Sequence, residues 1–215
     1  MTRSPEYRRA LDLSKRHHAL NKTFSGRLVR RDADLIKQLI VENGAETLLD
    51  YGCGKGAQYE WKASAGNAIP SGMGLADFWG VSVAKYDPAV PEFSREPEGS
   101  FDIVICTNVL RIIPKTDLGA IIDDIFSRAR RAAFFSESTI AATKKPDLRD
   151  ASIYPTDWRE SEWINAIGFR ATVPTILAVV VETPAGGKAR VWHRLGGSGN
   201  GNDAAKYTNG NRQDV

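Results

Sequence analysis

Four polar residues stand where apolar runs end, and their types could do chemistry. Asp50 closes the run in "TLLDYGCGKG", just before Gly52, Gly54 and Gly56. Asp87 closes "VSVAKYDP", Asn108 follows "FDIVICT", and Glu137 closes "RAAFFSES". In an open α/β sheet, ligands bind beyond the carboxyl ends of the strands, near the point where strand order reverses. All four residues belong at such ends if the runs are strands. A carboxylate at position 50 would repel a pyrophosphate and suit a ligand carrying a positive amino group. The two oxygens of Asp87 could accept both hydroxyls of a ribose, and Glu137 could act as a base or bind an amine.

The glycine turn excludes two familiar nucleotide sites. A phosphate-binding P-loop needs Gly, four residues, then Gly-Lys-Ser/Thr, whereas Gly54-Lys55 is followed by Gly56. A dinucleotide fingerprint needs G-x-G-x-x-G and a ribose-binding acid about 20 residues on. Here Gly52-Cys53-Gly54-Lys55-Gly56 is one residue short, and that acid is missing from its place. S-adenosylmethionine, with an ammonium, a sulfonium and no phosphate, fits the charge of Asp50. The bland alternatives are that Asp50 caps a helix and that Asp87 is a turn aspartate before Pro88. Asp50, Asp87 and "FDIVICTN" in this order make a joint signal stronger than any one part.

The elements that must position these residues follow from periodicity. Residues 5 to 20 read as a basic helix, and "RDADLIKQLIVENG" as an amphipathic helix stopped by Gly44. A helix is expected near Ala57, and 61–80 reads as an irregular insertion rich in small residues. "KTDLGAIIDDIFSRAR" predicts a helix with Thr116 or Asp117 as N-cap and a basic last turn. "YPTDWRESEWINAIG" predicts another helix, and "ILAVVVETPAGGKARVWHRL" an antiparallel hairpin. The apolar strands alternate with helices, which predicts an α/β fold. The expected form is a Rossmann-like, mostly parallel seven-stranded sheet with an antiparallel C-terminal hairpin strand and helices on both faces. Three regions are expected: a basic N-terminal extension or lid over 1–30, a main domain over 31–195 carrying the 61–80 insertion, and a disordered tail over 196–215.

Composition sets the class. The 215 residues are 42% hydrophobic and 26% charged, as in a globular domain with a full core. No apolar stretch reaches the roughly 18 residues of a membrane span, so no membrane partner is expected. Cys53 and Cys106 lie in strand-like contexts and imply no disulfide framework, so a cytoplasmic location is expected. No cluster of cysteine and histidine suggests a metal site. The net charge of +3 is too small to imply nucleic acid. The first thirty-odd residues are nevertheless crowded with cations, including Arg8, Arg9, Lys15 and Arg16. They form either a platform for an anionic substrate or a solvated helix face.

On "LLDYGCGKG", "VAKYDP", "FDIVICTNVLRIIP" and "AAFFSES", the chain resembles the class I S-adenosylmethionine-dependent methyltransferases over roughly residues 30 to 195. "LLDYGCGKGAQY", "YDPAV" and "FDIVICTNVL" are also similar to a group of phage and bacterial methyltransferase-domain proteins. The resemblance implies a methyltransferase (EC 2.1.1.-) with S-adenosyl-L-methionine as cofactor. Asp50, Gly52 and Gly54 would flank its methionine part, with backbone contacts at Tyr51 and Cys53. Asp87 would bind the ribose hydroxyls, and Asn108 and Val109 would line the cofactor where it meets the acceptor. Asn108 and Glu137 are the candidate catalytic residues. His17 and His18 would lie on a lid, or on the surface of a basic helix. His193 is expected to be packed or on an edge strand, and Trp158 and Trp163 to be core, with Trp158 alternatively near the pocket mouth.

Three departures stand against the family pattern. Leu110-Arg111-Ile112-Ile113-Pro114 replaces the usual Leu-Glu-His-Ile-Pro. The gap from Asp50 to Asp87 is long, so the insertion must loop out or cover the site. Asp150-Ala151-Ser152 stands where an Asn-Ala-His-like segment is expected. No Asn-Pro-Pro-Tyr or Asp-Pro-Pro-Tyr element follows the strand that corresponds to the family's fourth, where "TNVL" stands instead, which argues against amino-methylation of a flipped DNA base. A small-molecule acceptor is therefore expected first. The alternatives are an inactive cofactor-binding regulatory or structural protein, and a nucleic-acid methyltransferase or binder using the basic arm.

Overall fold

The computed structural model describes residues 3–20, 24–66, 69–138, 156, 158–182, 189–196 and 208–212. Strands β1 (Thr47–Tyr51), β2 (Ser82–Tyr86), β3 (Phe101–Thr107), β4 (Ala129–Ser138), β5 (Thr175–Glu182), β6 (Ala189–Gly196) and β7 (Thr208–Arg212) lie in the order β2-β1-β3-β4-β5-β6-β7. The pairings from β2 across to β5 are parallel, and β6 runs antiparallel to β5. The fold is thus α/β with a mostly parallel sheet and an antiparallel C-terminal strand. Because β2 and β3 flank β1 on opposite sides, strand order reverses at β1, and the glycine turn leaves the sheet at that point.

The burial of β1 and β3 follows from their sequences. Leu49, Val104, Ala133 and Phe135 face one apolar cluster, with Ile121, Ile122 and Ile125 of α5 (Lys115–Arg128) and Trp163 and Ile167 of α6 (Glu160–Phe169). Leu48, Ile103, Ile105 and Phe134 face the other, with Ile36 and Leu39 of α2 (Ala33–Glu42). Near-continuous apolar runs are what strands covered on both faces require. Two short helices complete the site region, α3 (Ala57–Glu60) and α4 (Leu75–Trp79).

Three expectations change. The insertion does not loop out: Ala63, Ile69, Leu75 and Trp79 are buried against α2, and Trp79 donates its indole N–H to the Ala33 carbonyl at 3.0 Å. Its apolar residues gain more from burial there than a solvated loop would offer. The N-cap of α5 is Pro114, with no side-chain cap bond, and not Thr116 or Asp117. Asp117 is engaged elsewhere: it accepts from the Ser4 N–H at 3.0 Å and from the Ser4 hydroxyl. Finally, Thr208–Arg212 lies in the stretch expected to lack structure, yet pairs antiparallel with β6. Backbone pairing on an open sheet edge needs no apolar side chains. The hairpin turn at 183–188, Asp150-Ala151-Ser152 and the rest of the tail lie outside the described residues.

The basic helix α1 (Pro5–Leu20) has no fully buried residue. Its half-buried positions are Tyr7, Ala10, Leu11, Leu13, Ser14, His17 and His18, and all but Leu13 recur at helical spacing to define the inner face. Tyr7 packs against the first apolar cluster. Arg8, Arg9, Lys15 and Arg16 are exposed on the other side.

Candidate functional site

The glycine turn is held by the protein itself. Gly52 and Cys53 both donate their N–H groups to the Tyr86 carbonyl, at 2.7 and 3.1 Å. Gly54 donates to Asp87 Oδ2 at 2.9 Å, and Lys55 to the Phe24 carbonyl at 3.1 Å. Gly56 and Ala57 donate to the carbonyls of Cys53 and Ser25. Every backbone N–H from Gly52 to Ala57 is therefore satisfied within the chain. An anion-binding turn needs such donors pointing outward.

Two glycines are required by close contacts. Gly52 has φ 85°, and a Cβ there would lie 2.2 Å from Val109 Cγ2. Gly54 has φ 59°, and a Cβ would lie 2.3 Å from the Phe24 carbonyl oxygen. Left-handed backbone without steric cost is what glycine supplies. Gly52→Ala is expected to destabilise the fold by about 1–3 kcal/mol. Val109→Ala in the same chain should recover part of that loss in chemical denaturation, because it removes the clash but not the backbone strain.

Asp50 is buried on the α2 side of β1. Its Oδ2 accepts from Gln58 Nε2 at 3.0 Å and from the Tyr59 hydroxyl at 2.8 Å, while Oδ1 has no partner. Burial pushes this carboxyl up to about 6, against the pull of the Tyr59 and Gln58 hydrogen bonds. The folded insertion supports the arrangement from behind, since Trp79 meets the Tyr59 ring edge-on. Gln58 and Tyr59 had no assigned role in the sequence. Two polar side chains in the first turn after an acid–glycine bend were the signal available.

Asp87, one residue past β2, accepts from Gly54 on Oδ2 and from the Ala89 N–H on Oδ1, both at 2.9 Å. Each carboxylate oxygen keeps acceptor capacity for one further donor. Burial raises its pKa, opposed by the Ala89 N–H, by His18 and by the Gly54 N–H. The half-buried His18 is depressed by its own burial and drawn back up by Asp87. Both His17 and His18 pack on Phe24. With Ser4 clasped to Asp117, α1 therefore reaches from the start of α5 to the edge of the glycine turn.

Asn108 follows β3 in the left-handed region, with φ 56°. Asparagine tolerates that region better than most side chains, and such a residue is a reasonable functional candidate. Its N–H donates to the Ser136 carbonyl at 2.6 Å, and its side-chain Nδ2 is buried without a partner. Val109 packs on Gly52. Glu137 is buried on β4; its Oε1 accepts from the N–H groups of Val109 at 3.1 Å and Leu110 at 2.8 Å. Burial pushes its carboxyl up to about 7, opposed by the Leu110 N–H and the Arg111 charge.

The candidate residues thus form one connected series. Glu137 holds Val109, Val109 meets Gly52, and Gly54 reaches Asp87. The side chains of the other candidates are engaged in the core or its margins, while the backbone of Tyr51 and Cys53 remains in the glycine turn. The Tyr51 side chain points into the core, where its hydroxyl donates to Asp124 at 2.8 Å and its ring meets Tyr86. The Cys53 thiol is buried, which pushes it up and makes it unreactive. His193 is a packed histidine on β6, 2.6 Å from Glu160. Trp163 is fully buried, and the half-buried Trp158 packs on it with its ring tilted, centroids 5.0 Å apart. Among the described residues no group of three or more His, Cys, Asp or Glu is placed to hold a metal, and no helix is long and apolar enough to cross a membrane.

Two buried acids with raised pKa values set the sign of a pH dependence. Asp50 and Glu137 bind protons more tightly in the folded chain than in the unfolded one, where they titrate near 3.8 and 4.5. Their contribution is fully present below those values and is lost as pH rises through about 6 and about 7. The thermal midpoint is expected to fall from pH 5 to pH 8, and Glu137→Gln should remove the upper part of that fall. A midpoint that rises across the range would contradict the assignment.

The sequence matches no model of a known protein family, and no curated protein matches it.

Proposed function

We propose that the chain binds S-adenosylmethionine and transfers its methyl group to an acceptor, with a small molecule as the first choice. One observation carries this reading: the turn offers no spare backbone donor from Gly52 to Ala57, while beside it the buried Asp50 keeps one oxygen without a partner. A site with an unpaired anion and no outward donors suits a cationic ligand and not a phosphate.

The residues present fit the cofactor. Asp50 would sit by its methionine part, with Gly52 and Gly54 as the bare wall. Asp87 would take the ribose hydroxyls on the capacity left beside Gly54 and Ala89. Asn108 and Val109 would line the boundary with the acceptor. On this reading the arrangement would be class I and Rossmann-like, and the strand order reversing at β1 supports it. When bound, the cofactor supplies an electrophilic methyl group on a sulfonium. The chain's part is to orient the reactants and exclude water. The half-buried inner face of α1 is suited to the second task.

Titration calorimetry on the full chain tests the proposal. Saturable binding of S-adenosylmethionine and S-adenosylhomocysteine is expected; no heat with either at millimolar concentration sinks it. A second reading, a cofactor-binding protein without transfer, draws on Arg111-Ile112 standing where the family pattern has an acid and a histidine, and on Glu137 Oε1 being taken by two backbone N–H groups. Formation of S-adenosylhomocysteine with fractionated small-molecule extracts would decide against that reading.

A further inference from the structure

We propose that Glu137 is a positioning residue and not a proton acceptor: its carboxylate anchors the backbone after β3 so that Asn108 and Val109 are held against the glycine turn. The inference rests on the methyltransferase reading for what that loop touches, but the anchoring stands on geometry alone. Glu137 is 1% exposed, and one of its oxygens takes two successive backbone N–H groups, from Val109 and Leu110. These belong to the start of the short 3-10 turn Leu110–Ile112, whose first N–H groups have no partner inside the turn. The carboxyl oxygen therefore does for this turn what a capping side chain does for a helix, from a neighbouring strand.

Three consequences converge on Asn108 and Val109. Asn108 is pinned on one side by its own N–H to the Ser136 carbonyl. On the other side its successor is pinned by Glu137, so the left-handed φ of 56° is fixed from both ends. The same anchor presses Val109 onto Gly52, where no side chain fits. Further along, the Thr156 hydroxyl donates to the Ile113 carbonyl at 2.6 Å and its N–H to the Arg111 carbonyl. The loop is thus tied down along its length.

This also gives the departure at Arg111 a meaning. Arg111 is 5% exposed, and its charge opposes the burial of Glu137. A buried anion needs such a partner. Glutamate at 111, as in the family pattern, would replace that opposing charge with a like one. The cation at 111 and the acid at 137 belong together.

Four variants test this: Glu137→Ala, Glu137→Gln, Arg111→Glu and the double Arg111→Glu/Glu137→Gln. Two readouts are used, amide exchange at Val109 and Leu110, and calorimetric affinity for S-adenosylmethionine. Glu137→Ala should speed exchange at both amides and weaken the cofactor by about 10-fold or more, the worth of charge-assisted hydrogen bonds. Glu137→Gln keeps an acceptor oxygen in place and should stay within about threefold of wild type in both. Arg111→Glu should behave like Glu137→Ala, and the double variant should recover. If the alanine variant does not fold, Glu137→Asp, which withdraws the carboxylate by one methylene, should show the same losses in smaller degree.

Cofactor affinity unchanged in Glu137→Ala overturns the proposal, because a purely architectural residue would give that result. Normal affinity in Glu137→Gln with turnover abolished assigns proton transfer to Glu137 and equally overturns it. A wild type that binds no cofactor, with exchange behaving as expected, refutes the methyltransferase reading and leaves the anchoring of the loop by Glu137 standing; exchange at Val109 and Leu110 unchanged in Glu137→Ala refutes the anchoring itself.

Discussion

Asp87→Ala is expected to weaken S-adenosylmethionine binding by about 10- to 100-fold, the largest effect of any single change at the site. Two losses combine. The remaining acceptor capacity of both oxygens disappears, and each charge-assisted hydrogen bond is worth about 1.5–3 kcal/mol. The Gly54 N–H and the Ala89 N–H also lose their partner, so the turn itself is left with a donor pointing at the ligand. Asp87→Asn is the sharper control. Its one amide oxygen can keep either Gly54 or Ala89, but its NH₂ cannot accept from a hydroxyl, so an intermediate loss is expected. Calorimetry at fixed pH, with circular dichroism to confirm folding, separates the cases. Equal affinity in all three proteins would remove Asp87 from the cofactor site.

The second large effect falls at the opposite end of the sheet. Asp102, at the start of β3, accepts from the N–H groups of Glu46 and Thr47 and from the Thr47 hydroxyl on one oxygen, at 3.0–3.1 Å. Its other oxygen faces Arg130 at 3.0 Å and Arg131 at 3.2 Å. Burial works to raise its pKa, but the Glu46 N–H, Arg130 and Thr47 together hold the carboxyl well below the usual range. Asp102→Ala leaves the Glu46 and Thr47 N–H groups without their acceptor, while the half-exposed Arg130 and Arg131 turn to water. A loss of about 1–3 kcal/mol is expected, the cost of stranding partly buried donors. The depressed pKa gives the sign of the acid limb: this stability is present above the ordinary carboxylate value and is lost as pH falls through the folded one. Cofactor affinity should not change, because Asp102 belongs to the amino ends of the strands and the glycine turn to the carboxyl ends. Denaturant unfolding alongside calorimetry checks both statements.

What the sequence revealed depended on whether the signal was local. "TLLDY" and "FDIVICT" are legible as strands because continuous burial needs continuous apolar residues. With the strands placed, Asp50, Asp87 and Asn108 had to stand at their carboxyl ends. The role of Glu137 was not legible, because its partners lie 27 and 28 residues away and no spacing rule marks them. The cap of α5 was misjudged for a related reason: Asp117 looks like a capping residue until Ser4, 113 residues earlier, claims it. "LADFW" between Gly74 and Gly80 is too short for periodicity to reveal a helix, and only burial against α2 sustains it. In the sequence, Gly52 and Gly54 stand out as flanking a ligand. In the structure, Gly54 also makes room for the Phe24 carbonyl and Gly52 for Val109.

The full internal engagement of the turn bears on competition. In a cell extract, nucleotides and inorganic phosphate far outnumber most other small ligands, and an open loop of backbone donors would spend much of its time holding them. Here the segment around Phe24 and Ser25, together with Tyr86 and Asp87, already occupies those donors. Millimolar ATP should therefore leave the apparent affinity for a sulfonium ligand untouched. If the turn borders a ligand, as proposed, it would select by being closed to the commonest contenders.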